Sequence, residues 1–242
     1  MKPRKFCLLA TPRTGSHYLR TLLGGLPDVA FYGELFNPNG DYVTAQGFSM
    51  KDRDRDPLAF LAEIERKGFE RSKIFGFKLM IGQSKLVVDH VLSSDDYQVI
   101  LLSRENKLAQ YSSFIIARTS GVWFVHRGQP KGPEIKVVFD PKDFASFMAQ
   151  DCRYYETVLA RIQNESRPWL HLEYGRMQDQ DQVTALLNFM SIESLSSIAD
   201  LVERNRSVRQ NTPRIVDRFT NPETVLSAMR QMGREDWLTE AS

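Results

Sequence analysis

One short stretch of the chain carries the residue types that bind phosphate. An apolar run ends at Thr11-Pro12 and is followed by Arg13-Thr14-Gly15-Ser16, after which apolar residues recur at helical spacing. This order predicts a strand, a tight loop and a helix. Backbone N–H groups, small hydroxyls and one guanidinium then lie at the helix N-terminus, where the helix dipole favours anions. The stretch predicts a phosphate cradle, but not a Walker A loop, because the Gly-x-x-x-x-Gly-Lys-Ser/Thr pattern is absent and the cation precedes the glycine.

The elements around this loop follow an alternating pattern. Further strands are predicted at 29–32, 74–80, 98–103 and 169–174. Helices are predicted from Pro57 to about Lys67, from just after Arg104 through Arg118, after Asp140-Pro141, and over 180–190. Residues 40–56, which end in alternating charges, are predicted to form a solvated loop. Strands alternating with helices predict an α/β fold with a mostly parallel central sheet and helices on both faces.

Four charged residues share one position relative to the predicted strands. Arg13, Glu34, Lys78 and Arg104 each lie at the end of a strand or just after it. Ligands of parallel sheets bind beyond the carboxyl ends of the strands. The four residues are therefore predicted to meet at one site.

Arg104 and Ser112 form a second phosphate-binding pattern. They are eight residues apart at the start of a helix, which is about two turns and brings them to roughly one side of it. Arginine offers bidentate donors that are always charged and suit a phosphate. The same spacing is equally compatible with a surface arginine and a serine that merely faces the helix.

These motifs together resemble those of the sulfotransferase superfamily, which uses 3′-phosphoadenosine 5′-phosphosulfate (PAPS). The chain looks most similar to bacterial carbohydrate enzymes of the trehalose 2-sulfotransferase group and to the nodulation-factor sulfotransferases. The resemblance lies in residues 11–18, 33–36, 75–78 and 104–123, and it extends convincingly over about 5–125. It implies a three-layer, P-loop-like fold and transfer of a sulfonate group from PAPS to a hydroxyl of a carbohydrate or glycolipid.

The resemblance also implies which residues hold the donor. The 5′-phosphate and the sulfonate would be bound by Arg13 with Thr14, Gly15, Ser16 and His17. Tyr18 matches an aromatic that stacks on adenine, Arg104 and Ser112 would hold the 3′-phosphate, and Arg209 in the basic C-terminal segment would close over the nucleotide.

Three residues are assigned to catalysis by the same resemblance. Glu34 matches the carboxylate that acts as base in the bacterial carbohydrate group. Lys78 matches a lysine directed at the bridging oxygen or the sulfonate, and Arg13 would stabilise charge on the same oxygen. Because cationic side chains can stabilise this charge, no metal is expected.

Composition limits the remaining classes of protein. The 242 residues are expected to form a single domain, 1–242, and the formal charge of +2 argues against a generic nucleic-acid binder. Two distant cysteines indicate neither a disulfide framework nor a zinc site. With no signal peptide and no membrane-spanning run recognised, a cytoplasmic location is predicted, and a homodimer is left open.

Three other functions stay open from the sequence. Cys7 and Arg13 fit the Cys-x5-Arg phosphate loop of tyrosine phosphatases, although Cys7 lies inside the predicted strand rather than at the loop. A nucleoside or sugar kinase would need a P-loop lysine and an acidic ligand for Mg²⁺. A non-catalytic nucleotide- or glycan-binding module would keep the two arginines but have no use for Glu34 and Lys78.

Overall fold

The computed structural model describes residues 4–123, 134–164, 168–192, 198–204 and 211–240. Within them the strands are β1 (Arg4–Ala10), β2 (Val29–Glu34), β3 (Ile74–Met80), β4 (Tyr97–Ser103) and β5 (Trp169–Glu173). The α-helices are α1 (Ser16–Gly24), α2 (Asp41–Ala45), α3 (Met50–Arg55), α4 (Pro57–Phe69), α5 (Lys85–Ser93), α6 (Lys107–Ser120), α7 (Pro141–Asn164), α8 (Gln180–Phe189), α9 (Ile198–Arg204) and α10 (Pro222–Gln231). Short 3-10 helices span Tyr174–Arg176, Ile215–Arg218 and Glu235–Leu238.

The described strands form one sheet in the order β2-β3-β1-β4-β5, and every adjacent pair is parallel. All five carboxyl ends therefore meet at one edge, and the loop after the central strand β1 lies in the middle of that edge. This confirms the predicted α/β class with a parallel central sheet.

Side chains of β1 alternate between two cores, which explains why helices cover both faces of the sheet. Phe6, Leu8 and Ala10 pack with apolar residues of α1 and α8 on one face. Cys7 and Leu9 pack on the other face with residues of α4, α5 and α7. A strand that is buried on both faces reads as a continuous apolar run, as this one does.

The C-terminal residues pack against α6 in a third hydrophobic core. Isolated bridges join Val137 to Phe219 and Arg214 to Thr239. The amide of Asn106 donates to the carbonyls of Trp237 and Thr239, each at 3.1 Å. The final described residues are thereby held beside the start of α6, at the sheet edge where β4 ends.

The prediction of a solvated loop over 40–56 is wrong, because this segment contains α2 and α3. The Ser49 side chain caps α3 by accepting from the Asp52 N–H at 3.2 Å. Arg53, within the alternating charges, is only 5% exposed and donates to the Asn37 carbonyl at 2.6 Å. The charge run thus forms most of a short helix with one buried arginine, which charge alternation alone did not reveal.

Candidate active site

The loop between β1 and α1 has the conformation of an anion cradle. Arg13 and Gly15 both adopt positive φ, at 66° and 84°. Thr14 is fully buried, and its hydroxyl donates to the Thr11 carbonyl at 2.9 Å, which closes the turn. Gly15 caps α1 without a side-chain hydrogen bond, so this part of the cradle is backbone alone. Helix α1 begins at Ser16, directly after this loop, so the unpaired N–H groups of its first turn belong to the same segment.

Gly15 is required by a neighbour as well as by its φ. A Cβ at this position would lie 2.5 Å from the ring of Tyr174. Tyr174 follows β5, and its ring also lies under the Arg104 guanidinium, 4.1 Å from the carbon of that group. Tyr174 therefore joins the loop to Arg104, a contact that the sequence motifs did not predict.

The Arg13 side chain binds groups of α6 and of the residues that follow it. Its Nε donates to the Ser113 hydroxyl at 2.8 Å, and its guanidinium also contacts the Trp123 carbonyl. Its own carbonyl accepts from Arg104 at 2.9 Å. Burial, together with the nearby charge of Arg104, lowers the pKa of Arg13 to about 10. The two arginines thus lie close enough to repel each other.

Glu34 and Lys78 form an ion pair beside the cradle, at 2.7 Å between Oε1 and Nζ. They are register partners at the ends of β2 and β3, where an irregularity between Tyr32 and Glu34 includes Gly33. A Cβ on Gly33 would lie 2.9 Å from the Tyr42 ring, so close packing of Tyr42 needs glycine here. Lys78 is 6% exposed, and its ammonium also donates to the Ser16 hydroxyl at 3.3 Å.

Opposing effects set the pKa values of this pair. Burial lowers the pKa of Lys78 below its ordinary value, and the charge of Glu34 only partly opposes that. Burial alone raises the pKa of Glu34, but the charge and hydrogen bond of Lys78 outweigh it, with help from the amides of Asn37 and Gln83. The net result is a pKa of Glu34 below its ordinary value, so the carboxyl is ionised at neutral pH.

A second group of charges lies beyond β4. Arg104 is 4% exposed, and its guanidinium binds the carboxylate of Glu240, with 2.9 Å from Nε to Oε1. Arg218 reaches the other oxygen of Glu240 at 3.4 Å and donates to the Ser112 hydroxyl at 3.1 Å. Burial lowers the pKa of Arg218 to about 10, an effect that Glu240 opposes. Arg104 and Ser112 are thus linked indirectly, through Glu240 and Arg218, and their role toward a 3′-phosphate stays a prediction.

A buried network supports the loop from behind. Asp151 of α7 accepts from the Thr11 hydroxyl at 2.6 Å and pairs with Lys107 at 2.6 Å. The amide of Gln110 donates to the Thr11 hydroxyl and to the Pro12 carbonyl, each at 2.9 Å. These contacts fix the point where β1 turns into the cradle.

The remaining predicted residues have different positions. Tyr18 is 7% exposed within the core on the α1 face, and its hydroxyl finds no hydrogen-bond partner in the described part of the chain. This packing leaves little ring surface for an adenine and argues against the predicted stacking role. His17 is half-buried on the first turn of α1. Arg209 lies outside the described residues.

Several site residues were not found from the sequence: Asn37, Gln83, Ser113, Asp151, Tyr174, Arg218 and Glu240. Most are polar residues in loops or helices with no motif around them, and their role follows only from their contacts. The sequence placed Arg218 in a basic segment, but it gave no reason to select Arg218 over the other arginines there. Among the described residues no cluster of three or more His, Cys, Asp or Glu side chains could hold a metal ion, and none of the described helices could cross a membrane.

Comparison with known proteins finds related sequences among nodulation proteins. Nodulation protein H of Rhizobium meliloti (strain 1021) is 27% identical over 222 residues, which is 88% of this chain and 85% of that protein. Nodulation protein H of Rhizobium tropici is 30% identical over 127 residues, about half of each chain (50% and 49%). No protein-family model matches the chain.

A solved structure provides the comparison of folds. The mouse sulfotransferase SULT7A1 complexed with PAP superposes with a TM-score of 0.50 over 98% of this chain and 86% of that one, at 12% identity. At this identity the match concerns the fold alone. The predicted similarity to nodulation proteins is thereby confirmed by a related sequence, and the predicted fold by a shared architecture.

Proposed function

We propose that this protein transfers the sulfonate group of PAPS to a hydroxyl of a carbohydrate. The observation that carries the proposal is the ion pair of Glu34 with Lys78, whose ammonium also reaches Ser16 at the start of α1. A base and a cation thus lie directly beside an anion cradle. Binding a nucleotide requires positive charge but not a buried lysine that is paired with a carboxylate. Buried charged side chains with shifted pKa values occur preferentially at catalytic sites.

The cradle would bind the 5′-phosphate and the sulfonate. The amides of Thr14, Gly15 and Ser16 and the dipole of α1 favour an anion there, and the hydroxyl of Ser16 adds a donor. Arg13 supplies positive charge from the loop itself. Lys78 would contact the sulfonate or the bridging oxygen, since its ammonium already lies at Ser16.

The cluster of Arg104, Ser112 and Arg218 would bind the 3′-phosphate. Two buried guanidiniums hold a carboxylate in this structure, and a phosphate dianion satisfies the same donors with more charge. Arg218 is added to the predicted pair because it donates to Ser112 and faces the same carboxylate. Tyr174 would keep Arg104 in place from the other side.

The reaction would proceed by in-line displacement. Glu34 accepts the proton of the acceptor hydroxyl while the hydroxyl oxygen forms a bond to sulfur. The bond between sulfur and the bridging oxygen breaks, and its electron pair leaves on adenosine 3′,5′-bisphosphate (PAP). Lys78 and Arg13 stabilise the charge that develops on that oxygen. A positioned base contributes typically about 100- to 10,000-fold.

Lys78 would also couple donor binding to the strength of the base. The ammonium now lowers the pKa of Glu34. A sulfonate held beside Ser16 would compete for the same ammonium and weaken that effect. The pKa of Glu34 would then rise toward its ordinary value, which makes the carboxylate a better proton acceptor when the donor is present.

A carbohydrate acceptor is supported by the resemblance to enzymes of the trehalose and nodulation-factor type and by the match to nodulation protein H. The indole of Trp123 is 44% exposed, and its carbonyl contacts the Arg13 guanidinium, so an aromatic surface lies near the donor loop. Aromatic faces commonly stack against sugar rings. A glycolipid acceptor, a single domain over 1–242, a cytoplasmic location and a homodimer stay predictions.

The alternatives fit less well. The Cys7 thiol of the phosphatase reading is fully buried in β1, and burial raises its pKa well above the ordinary value, the opposite of what a thiolate nucleophile requires. A kinase would use ATP with Mg²⁺, and because ATP has no 3′-phosphate, the guanidiniums of Arg104 and Arg218 would have no ligand group to bind. A binding module would leave Glu34 and Lys78 without a role.

Calorimetric titration tests the proposal. PAP should bind tightly without metal, AMP should bind more weakly because it lacks the 3′-phosphate, and ATP with Mg²⁺ should not be preferred. Incubation with radiolabelled PAPS and either trehalose or a chitin oligosaccharide should then transfer label to the sugar. Preference for ATP with Mg²⁺, or no nucleotide binding, would refute the sulfotransferase function.

A further inference from the structure

The two oxygens of the Glu34 carboxylate have different surroundings. Oε2 accepts from the amide of Asn37 at 2.8 Å and from the amide of Gln83 at 2.9 Å. Oε1 faces the Lys78 ammonium at 2.7 Å. One oxygen is therefore held by two neutral donors, and the other is held by the cation of the proposed mechanism.

Backbone groups fix the direction of both amides. The oxygen of the Gln83 side chain accepts from the Met80 N–H at 3.1 Å, so its nitrogen must point to Glu34. The oxygen of the Asn37 side chain accepts from the Asn39 N–H at 3.0 Å in the same way. An amide flip would place the side-chain NH2 against a backbone N–H and the side-chain oxygen against the carboxylate, so donor would face donor and acceptor would face acceptor. Both side chains therefore donate a hydrogen bond to Oε2 of Glu34.

We propose that Asn37 and Gln83 are positioning residues that occupy Oε2 of Glu34 and leave Oε1 as the oxygen that takes the proton from the acceptor. This inference rests on the proposed function. With two amide bonds, Oε2 has both of its lone-pair directions filled, whereas Oε1 has one partner among the described residues and one direction left. Oε1 is also the oxygen next to Lys78, and through Lys78 it lies beside Ser16 of the cradle. The proton-accepting oxygen then faces the place where sulfur is held.

The turns that carry the two amides suit this role. Asn37 lies three residues after β2, and Gln83 lies three residues after β3, so each comes from the loop that follows one partner of the ion pair. The amides of Asn37 and Gln83, here called the amide clamp, fix the terminal torsion angle of the Glu34 side chain. Without such contacts this torsion angle of glutamate has a broad distribution. Because both donors are neutral, they do this without adding a cation that would compete for the sulfonate.

The test uses substitutions that remove a donor but keep the size of the side chain. Gln83→Met removes the amide, and Gln83→Glu keeps an acceptor for the Met80 N–H but places a second carboxylate against Oε2. Asn37→Asp does the same in the other turn and serves if the Gln83 variants do not fold. Gln98→Met is the matched control, since the Gln98 amide donates to the Phe189 carbonyl at 3.1 Å, at the opposite end of the sheet from Glu34.

Two measurements separate positioning from a structural role. NMR titration of ¹³C-labelled glutamate carboxyls should show a higher pKa for Glu34 in Gln83→Met and a still higher one in Gln83→Glu. Sulfonate transfer from PAPS should show a kcat at least about tenfold lower, with the KM for PAPS within about twofold of wild type. The acid limb of the pH profile should move to higher pH in the same order.

The outcomes keep this inference distinct from the proposed function. An unchanged Glu34 titration, or an equal loss of kcat in Gln98→Met, would overturn the positioning role while transfer by the wild type still stood. A wild type that neither binds PAP nor transfers sulfonate would remove the function itself. The titration of Glu34 would even then report whether the clamp exists.

Discussion

Replacement of Glu240 by glutamine is the sharpest test of the second anion site. The Glu240 carboxylate binds both Arg104 and Arg218, and the three side chains are 11%, 5% and 3% exposed. A 3′-phosphate bound by the same guanidiniums would have to displace it. Glu240→Gln keeps the shape of the side chain and removes the competing charge, so we expect PAP to bind more tightly.

The magnitude follows from the strength of the contact that is lost. Hydrogen bonds to charged groups contribute about 1.5–3 kcal/mol each in net terms. Glu240 makes such bonds to two guanidiniums but also carries a desolvation penalty, so a net value of about 2 kcal/mol is reasonable. Each 1.4 kcal/mol is about tenfold in a binding constant, so the Kd of PAP should fall about 10- to 100-fold. The Kd of AMP should not change, because AMP has no 3′-phosphate.

The same substitution should destabilise the protein without ligand. Two buried guanidiniums would lose their shared counter-ion, and breaking a buried ion pair costs about 3–5 kcal/mol. Glutamine still offers a carbonyl oxygen, so the loss should fall below that range, near the value of about 2 kcal/mol used for PAP binding. Saturating PAP should restore stability, because the phosphate replaces the missing charge.

Calorimetry and urea unfolding measure both effects on the same preparations. Glu223→Gln is the charge-matched control, since Glu223 is exposed on the first turn of α10. An unchanged or weaker affinity of Glu240→Gln for PAP would refute the placement of the 3′-phosphate at Arg104 and Arg218. Tighter binding of PAP and AMP alike would show a general effect of net charge instead.

Four further outcomes are expected. Glu34→Gln should lower kcat by at least about 100-fold and leave the Kd of PAP unchanged in calorimetry, because it removes the base but no phosphate contact. Arg104→Ala should weaken PAP far more than AMP in the same titration, and equal losses would contradict the 3′-phosphate role. Gly15→Ala should lower the free energy of unfolding in urea by at least about 1–2 kcal/mol and abolish PAP binding, because φ is +84° and the new Cβ meets Tyr174. The pH profile of kcat/KM should have both limbs at lower pH than the ordinary pKa values of glutamate and lysine predict, because the pKa values of Glu34 and Lys78 are both lowered. The acid limb reports protonation of Glu34, and the alkaline limb reports loss of the proton of Lys78.

The sequence was sufficient to predict the parts of the site that follow from the sheet. The buried run of β1, the loop and α1 are adjacent in sequence, so their geometry is local. Glu34 ends β2 and Lys78 lies two residues before the end of β3, and parallel pairing of the two strands brings them into contact at 2.7 Å. Strand ends in a parallel sheet must share an edge, so this meeting required no knowledge of packing.

The rest of the site depends on tertiary contacts that leave no local pattern. Arg218 lies more than 100 residues after Ser112, and it reaches that serine because the third core folds the C-terminal segment onto α6. Tyr174 is recognised only through its contacts with Gly15 and Arg104. Tyr18 shows the converse, because its helical spacing with Leu22 marks it as core, and the structure buries it there.

The electrostatics of the whole site favour a ligand of high negative charge. Burial and mutual repulsion lower the pKa of Arg13 and of Arg218 to about 10, and in both cases Arg104 contributes. Three guanidiniums held so close destabilise the fold by their repulsion, and the carboxylate of Glu240 relieves only part of it. PAP carries a phosphate at each end of its ribose and would neutralise both halves of the cluster at once. The binding free energy of PAP should therefore exceed the sum of the binding free energies of AMP and inorganic phosphate. A PAP affinity no greater than that of AMP would show that the guanidiniums stabilise the fold and do not bind the 3′-phosphate.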